Sequence, residues 1–217
     1  MDLYAIVRGP LAWVALLTFV LGSLYRMVSM LVEARKDKVV YPYMSLKYGL
    51  RSILHWITPF GSVNMRKRPV MTIVSFLFHL GLVLTPLFLL AHSLLWQDSW
   101  NIRPWSLPDG LADAMTVIVI LSCVFFLCRR LLLPEVRNVT SVSDIALLAV
   151  VLLPFLTGFL AHHQMGQYKP MLILHILTGE IMLMAIPFTR LQHMLFFWFT
   201  RAYMGSEFGY VRRARDW

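Results

Sequence analysis

The chain has 217 residues, of which 59% are hydrophobic and only 14% charged, a balance that excludes an ordinary soluble domain and fits a protein embedded in lipid. Its formal net charge of +9 does not point to nucleic acid, because the basic residues flank apolar runs, as they do in the cytoplasmic loops of membrane proteins. The two cysteines, Cys123 and Cys128, fall about 140° apart on a helix, which suits small core residues better than a disulfide; no Cys-x-x-Cys-His occurs, so covalent c-type haem attachment is excluded.

The first apolar run, residues 3–25, lacks a basic leader and a small-residue cleavage pattern, so it reads as a retained first membrane helix. Pro10 suits its opening turn, Gly22 and Ser23 offer a small surface for helix contact, and Arg26 follows at the far end. Residues 27–69 form a long basic loop. Within it, Leu46, Leu50, Ile53, Leu54 and Ile57 recur at helical intervals, the pattern of an amphipathic helix lying on the membrane surface or docking a soluble partner. His55 in this segment is expected to be an interfacial polar tip.

The second span, residues 70–96, carries His79 and His92, about 19.5 Å apart in rise and about 140° apart on an ideal helix. Pro86 lies between them, and a bend or local unwinding there brings His92 round. A short loop follows, with Trp96, Trp100 and Trp105 as interface anchors and Arg103 as its one basic residue. The third span is residues 111–133. The fourth, 144–165, opens on Asp144, a helix-dipole or capping residue, and ends on His162 and His163. That pair is open to three readings: interfacial residues, contacts for a quinone or a haem propionate, or ligands.

The fifth span, 171–199, holds His175 and His193. Eighteen positions make five turns of one helix, so both imidazoles are expected on one face, about 27 Å apart. Basic residues gather in the 26–68 loop, at Arg129, Arg130 and Arg137 and in the tail, whereas Arg8, Arg103 and Lys169 mark the other side. The positive-inside rule then puts the N-terminus outside and the C-terminus in the cytoplasm.

Two helices with one histidine per leaflet predict two facing pairs, His79 with His193 and His92 with His175. Ionisable groups at membrane depth are costly and usually bind or pair. Imidazoles on either side of a flat macrocycle make a bis-histidine b-haem site, which favours electron transfer. Gly179, one turn from His175, leaves room for a porphyrin, and Gly81 does so beyond His79. Arg190 and Arg26 are candidates for the propionates, with snorkelling to the interface as the alternative for Arg190. Glu180, an acid inside the fifth span, is a candidate proton or quinone contact together with His162 and His163.

The run His175 to His193, with H-x-x-x-G and PFTRLQH, together with FHLGL at 78–82, GSLYR at 22–26 and RRLLLPEVRNVTSVSDI at 129–145, resembles the gamma subunit of respiratory nitrate reductase, a dihaem cytochrome b. The segment SLKYGLRSILHWITPFGSVNMRKRPV and LAHSLLW are similar to cytochrome b subunits of transmembrane redox complexes of sulfate-reducing bacteria. In the nitrate reductase family the second-helix histidines stand ten apart; here that position is Leu89, and His92 follows. The outer ligand is therefore either His92 or a histidine of the fourth span.

The resemblance implies one all-α membrane domain, residues 1–217, of five transmembrane helices in the bacterial cytoplasmic membrane. It implies two b-type haems, with menaquinone as a further candidate. The partners it implies are a periplasmic multihaem cytochrome c and a cytoplasmic iron-sulfur subunit related to heterodisulfide reductase. Its expected work is electron transfer within a respiratory oxidoreductase complex. A proton-coupled transporter and a haem-free membrane anchor are the alternatives.

Overall fold

A computed structural model describes residues 2–216, and among them there is no strand. Inside lipid a backbone N–H has no water to turn to, so a crossing segment satisfies its own groups as a helix. Among the described residues five helices are long and apolar enough to cross a membrane: α1 (Leu3–Lys36), α3 (Pro69–Phe88), α5 (Asp109–Leu132), α6 (Val142–His162) and α7 with the turn after it (Tyr168–Phe188). Between α1 and α3 lies α2 (Leu46–Ile57); α4 (Leu90–Trp100) follows α3, α7 proper is Tyr168–Ala185, and α8 is His193–Ser206. The chain is a multi-pass membrane protein.

Three helix ends differ from the sequence expectation, each with a local cause. Helix α1 runs on to Lys36 rather than stopping near Tyr25, and Pro10 sits inside it, absorbed by a π-turn at Val7–Leu11 that accommodates the missing donor. The second span is two helices: Leu89 is extended (φ −67°, ψ 135°), three residues past Pro86. The run from His175 to His193 is also broken. Pro187 lies in a 3-10 turn, Ile186–Phe188, Thr189 is extended, and a second turn, Arg190–Gln192, leads into α8. His175 and His193 therefore do not share one continuous helix face as expected, because proline removes the i to i−4 bond and Thr189 caps a new start, accepting from the Leu191 N–H at 3.2 Å.

The chain forms two compact units, one holding the residues up to Arg8 with Ile73–Met182, the other Gly9–Thr72 and the residues from Leu183 on. In the first unit α3 meets α5 where Gly81 stands: a Cβ there would lie 2.7 Å from Val119 Cγ2. Gly81 thus serves close helix packing rather than the porphyrin contact expected of it. Leu107, Ala112 and Met115 form a small core with Leu84, Phe88 and Leu89 packed on it. Asp144 accepts from the Ser141 N–H at 2.8 Å to start α6 and lies 3.9 Å from Arg130 of α5. Cys123 is buried, as expected of a core residue, whereas Cys128 is exposed.

In the second unit Gly22 of α1 is backed by the proline turn, since a Cβ there would fall 2.8 Å from Phe188 and 2.9 Å from Pro187. Helix α2 lies on α8 through small residues: Gly49 meets Ala202, and Gly205 meets the Tyr48 carbonyl and Ser52. The opposite side of α2 turns Leu46, Leu50, Leu54 and Ile57 outward, one apolar stripe suited to a bilayer surface. His55 bonds the Gly61 carbonyl at 2.6 Å and fastens the turn after α2.

Candidate functional site

The first unit brings together two of the four histidines expected to pair. His92 on α4 and His175 on α7 have ring centres 5.9 Å apart and planes within 10° of parallel. With metal–imidazole bonds of about 2.0–2.1 Å, two imidazoles sharing one metal from opposite sides have their ring centres about 6 Å apart. The 5.9 Å spacing matches that separation.

Backbone carbonyls hold both rings. His92 Nδ1 donates to the Pro86 carbonyl at 2.8 Å, and His175 Nδ1 donates to the Pro154 carbonyl at 2.9 Å. A carbonyl only accepts, so Nδ1 carries the hydrogen and Nε2 the lone pair, the tautomer and outer hydrogen bond usual for a metal-binding histidine. The Pro86 carbonyl is available because the helix stops at Phe88: its i+4 donor would be residue 90, beyond the extended Leu89. The neighbouring Phe88 carbonyl accepts from the Leu107 N–H at 2.8 Å. The extended Leu89 also resets the direction of the chain, and His92 follows three residues later.

Gly158 of α6 makes room for His175. A Cβ at 158 would lie 2.8 Å from the ring's Cε1 and 2.9 Å from its Nδ1, so any side chain there displaces the imidazole. Thr157 and Thr178, hydroxyl to hydroxyl at 3.2 Å, join the same two helices beside it. Among the described residues, nothing outside its own helix turn lies within 4 Å of a Cβ placed on Gly179.

His79 belongs to the first unit and His193 to the second. Each is held locally in the same way: His79 Nδ1 bonds the Ser75 carbonyl at 2.7 Å and His193 Nδ1 the Arg190 carbonyl at 2.7 Å. Arg26 donates from Nε and Nη2 to Gln192 Oε1 at 3.1 and 2.7 Å, so this guanidinium holds the turn that carries Arg190 and His193. Glu180 on α7 is 5% exposed, and neither of its carboxyl oxygens has a hydrogen-bond partner among the described residues.

His162 and His163 end α6 next to Asp113 of α5, with the potential ligand atoms of the three all within 4.8 Å of one another. Sequence reasoning passed over Asp113, Gln192 and Gly158. Only Gly158 carried a signal, as a glycine inside a membrane span near a proline.

No family model matches the chain. It is 39% identical over 215 residues to a protein of Nitratidesulfovibrio vulgaris, strain Hildenborough, described only as "Protein", a match that covers 97% of this chain and 95% of the relative. The chain belongs to the family of that Nitratidesulfovibrio vulgaris protein.

Proposed function

We propose that the chain is a dihaem cytochrome b, the membrane subunit of a respiratory oxidoreductase complex in the bacterial cytoplasmic membrane. It carries electrons between a periplasmic multihaem cytochrome c or the menaquinone pool and a cytoplasmic iron-sulfur subunit. The single observation that carries this reading is the His92–His175 pair, parallel and 5.9 Å apart, with each Nδ1 bonded to a proline carbonyl. A b-type haem held there by His92 and His175 would supply one-electron transfer.

The residues of the chain supply the rest. His92 and His175 present Nε2, the carbonyls of Pro86 and Pro154 orient the rings, and Gly158 gives the His175 imidazole its place. A second haem is assigned to His79 and His193 on the sequence resemblance, with Arg190 and Arg26 as the candidate propionate contacts. Glu180 is the candidate proton or quinone contact. The basic residues between Arg26 and Arg68 and those of the tail put the C-terminus in the cytoplasm, where they offer a cationic surface to the iron-sulfur partner, related to heterodisulfide reductase in the resemblance.

A reduced-minus-oxidised absorption spectrum of the purified protein, with a haem count per chain, tests the reading. Two b-type haems are expected. A preparation that inserts into membranes and folds yet shows no b-type bands overturns it in favour of a haem-free anchor or a transporter.

A further inference from the structure

We infer that Asp113, His162 and His163 form a binding site for one divalent transition-metal ion of the zinc type, separate from the His92–His175 pair. The three side chains come from two helix ends. Asp113 stands in the second turn of α5, His162 is the last residue of α6 and His163 its C-cap (φ −84°, ψ 8°). Adjacent residues on a continuous helix point about 100° apart and do not converge. Here the helix ends between them. The chain turns through Gln164 (φ 53°), and the two rings sit 5.0 Å apart at 82°, so both imidazoles reach the same carboxylate.

The spacing suits a small ion. In a tetrahedral site with bonds of about 2.0–2.1 Å, neighbouring ligand atoms lie about 3.3 Å apart. His163 Nε2 and Asp113 Oδ2 are 3.2 Å apart, and no separation among the three ligand atoms exceeds 4.8 Å. Phe159 lies one turn back with its ring centre 4.4 Å from that of His163, which limits the ring's freedom.

Two neutral imidazoles and one carboxylate make a borderline donor set that suits Zn2+, Co2+, Ni2+ and Cu2+ and discriminates against Mg2+ and Ca2+, which require mainly oxygen. The side chains of His163 and Asp113 are 37% and 33% exposed, so an ion has a route in from solvent. A bound ion ties the start of α5 to the end of α6 and keeps one position for water or an exogenous ligand.

The test uses the full chain in detergent, purified without a polyhistidine tag, stripped with a chelator and titrated with Zn2+ against a chromophoric competitor. One ion per chain is expected, at micromolar or tighter affinity, with Asp113→Asn and His163→Ala each weakening it at least tenfold. Co2+ should give the visible d–d bands of a low-symmetry site. Haem content should match wild type in both variants and in His162→Ala. Zn2+ binding that is absent, weaker than micromolar or unchanged in Asp113→Asn overturns the site. Loss of a haem in His162→Ala or His163→Ala, with Asp113→Asn still loaded with haem and without Zn2+ binding in wild type, reassigns the histidines to haem ligation and also overturns it.

Discussion

His92 and His175 come from different helices and different stretches of chain, yet their imidazole planes lie within 10° of each other with centres 5.9 Å apart. The arrangement is held by two proline carbonyls, at residues 86 and 154. Proline contributes by altering the helix around it: after Pro86 the helix stops, and the Pro86 carbonyl becomes available to a side chain.

If this pair takes a haem, removing either ring removes that haem and no other. His92→Ala and His175→Ala are each expected to lower the haem content from about two per chain to about one, because both axial positions must be filled for a low-spin b-type site. Pyridine haemochrome analysis of purified variants measures it. Two haems retained in His92→Ala would assign the ligand elsewhere.

Gly158 allows a sharper test, because it carries no ligand. Replacing glycine with alanine inside a helix ordinarily stabilises it by about 1 kcal/mol. Here the added carbon meets the His175 ring at 2.8 Å, and overpacking of that kind costs about 1–3 kcal/mol. The clash is expected to win. Gly158→Ala should lower the thermal midpoint or leave it level, and Gly158→Val should lose the same haem as His175→Ala while retaining the other. A Gly158→Val protein with full haem content would separate the glycine from the site.

The number and approximate position of the spans were legible because apolar runs of membrane length are rare outside a bilayer, and the stripe Leu46, Leu50, Leu54, Ile57 announced α2 by its period. The breaks were legible only in part. Pro86 signalled a bend, but nothing in the local sequence fixed the extended residue at Leu89, since its neighbours are all apolar. Pro187 carried the same warning. The 18-residue histidine spacing has angular meaning only on an unbroken helix, and one interrupted by two 3-10 turns loses its register. Asp113 was invisible for a different reason: its partner, His163, lies 50 residues away on another helix end, and one aspartate among turn residues has no pattern of its own.

Outside the membrane-spanning segments, Asp37 and Tyr203 allow a prediction in pH. The Tyr203 hydroxyl donates to the Asp37 carboxylate, and the N–H groups of Val39 and Val40 donate to the same carboxylate at 2.7 and 3.2 Å. Together they hold Asp37 below the usual carboxylate range, the tyrosine contributing most. Burial first, then the nearby carboxylate, push Tyr203 up to about 12. A carboxyl with a lowered folded value stabilises the fold above its unfolded value and loses that contribution as pH falls through the folded one. The tyrosine's contribution is whole below its unfolded value of about 10 and disappears as pH rises through about 12. Tyr203→Phe should therefore raise the Asp37 value and loosen the turn at residues 37–43 at a higher pH than in wild type. Amide hydrogen exchange of that segment between pH 3 and 6 would show it, and superimposable profiles would show that the contact is without weight.

Glu180 is the residue whose chemistry the electron-transfer reading leaves most open to experiment. A carboxyl buried in α7 with no hydrogen-bond partner among the described residues is costly at membrane depth as an anion, which suits a group that takes up and releases a proton. Gln has the same shape and no exchangeable acid, so Glu180→Gln is expected to keep both haems and to shift the thermal midpoint by no more than a few degrees. Haem reduction by a menaquinol analogue should nevertheless slow by about 100-fold, the low end of what a positioned proton acceptor contributes. Dithionite, which needs no proton acceptor in the protein, should reduce the variant as fast as wild type. Equal menaquinol rates in stopped flow would remove Glu180 from quinol chemistry, whereas slowing with both reductants would mark it as a structural residue.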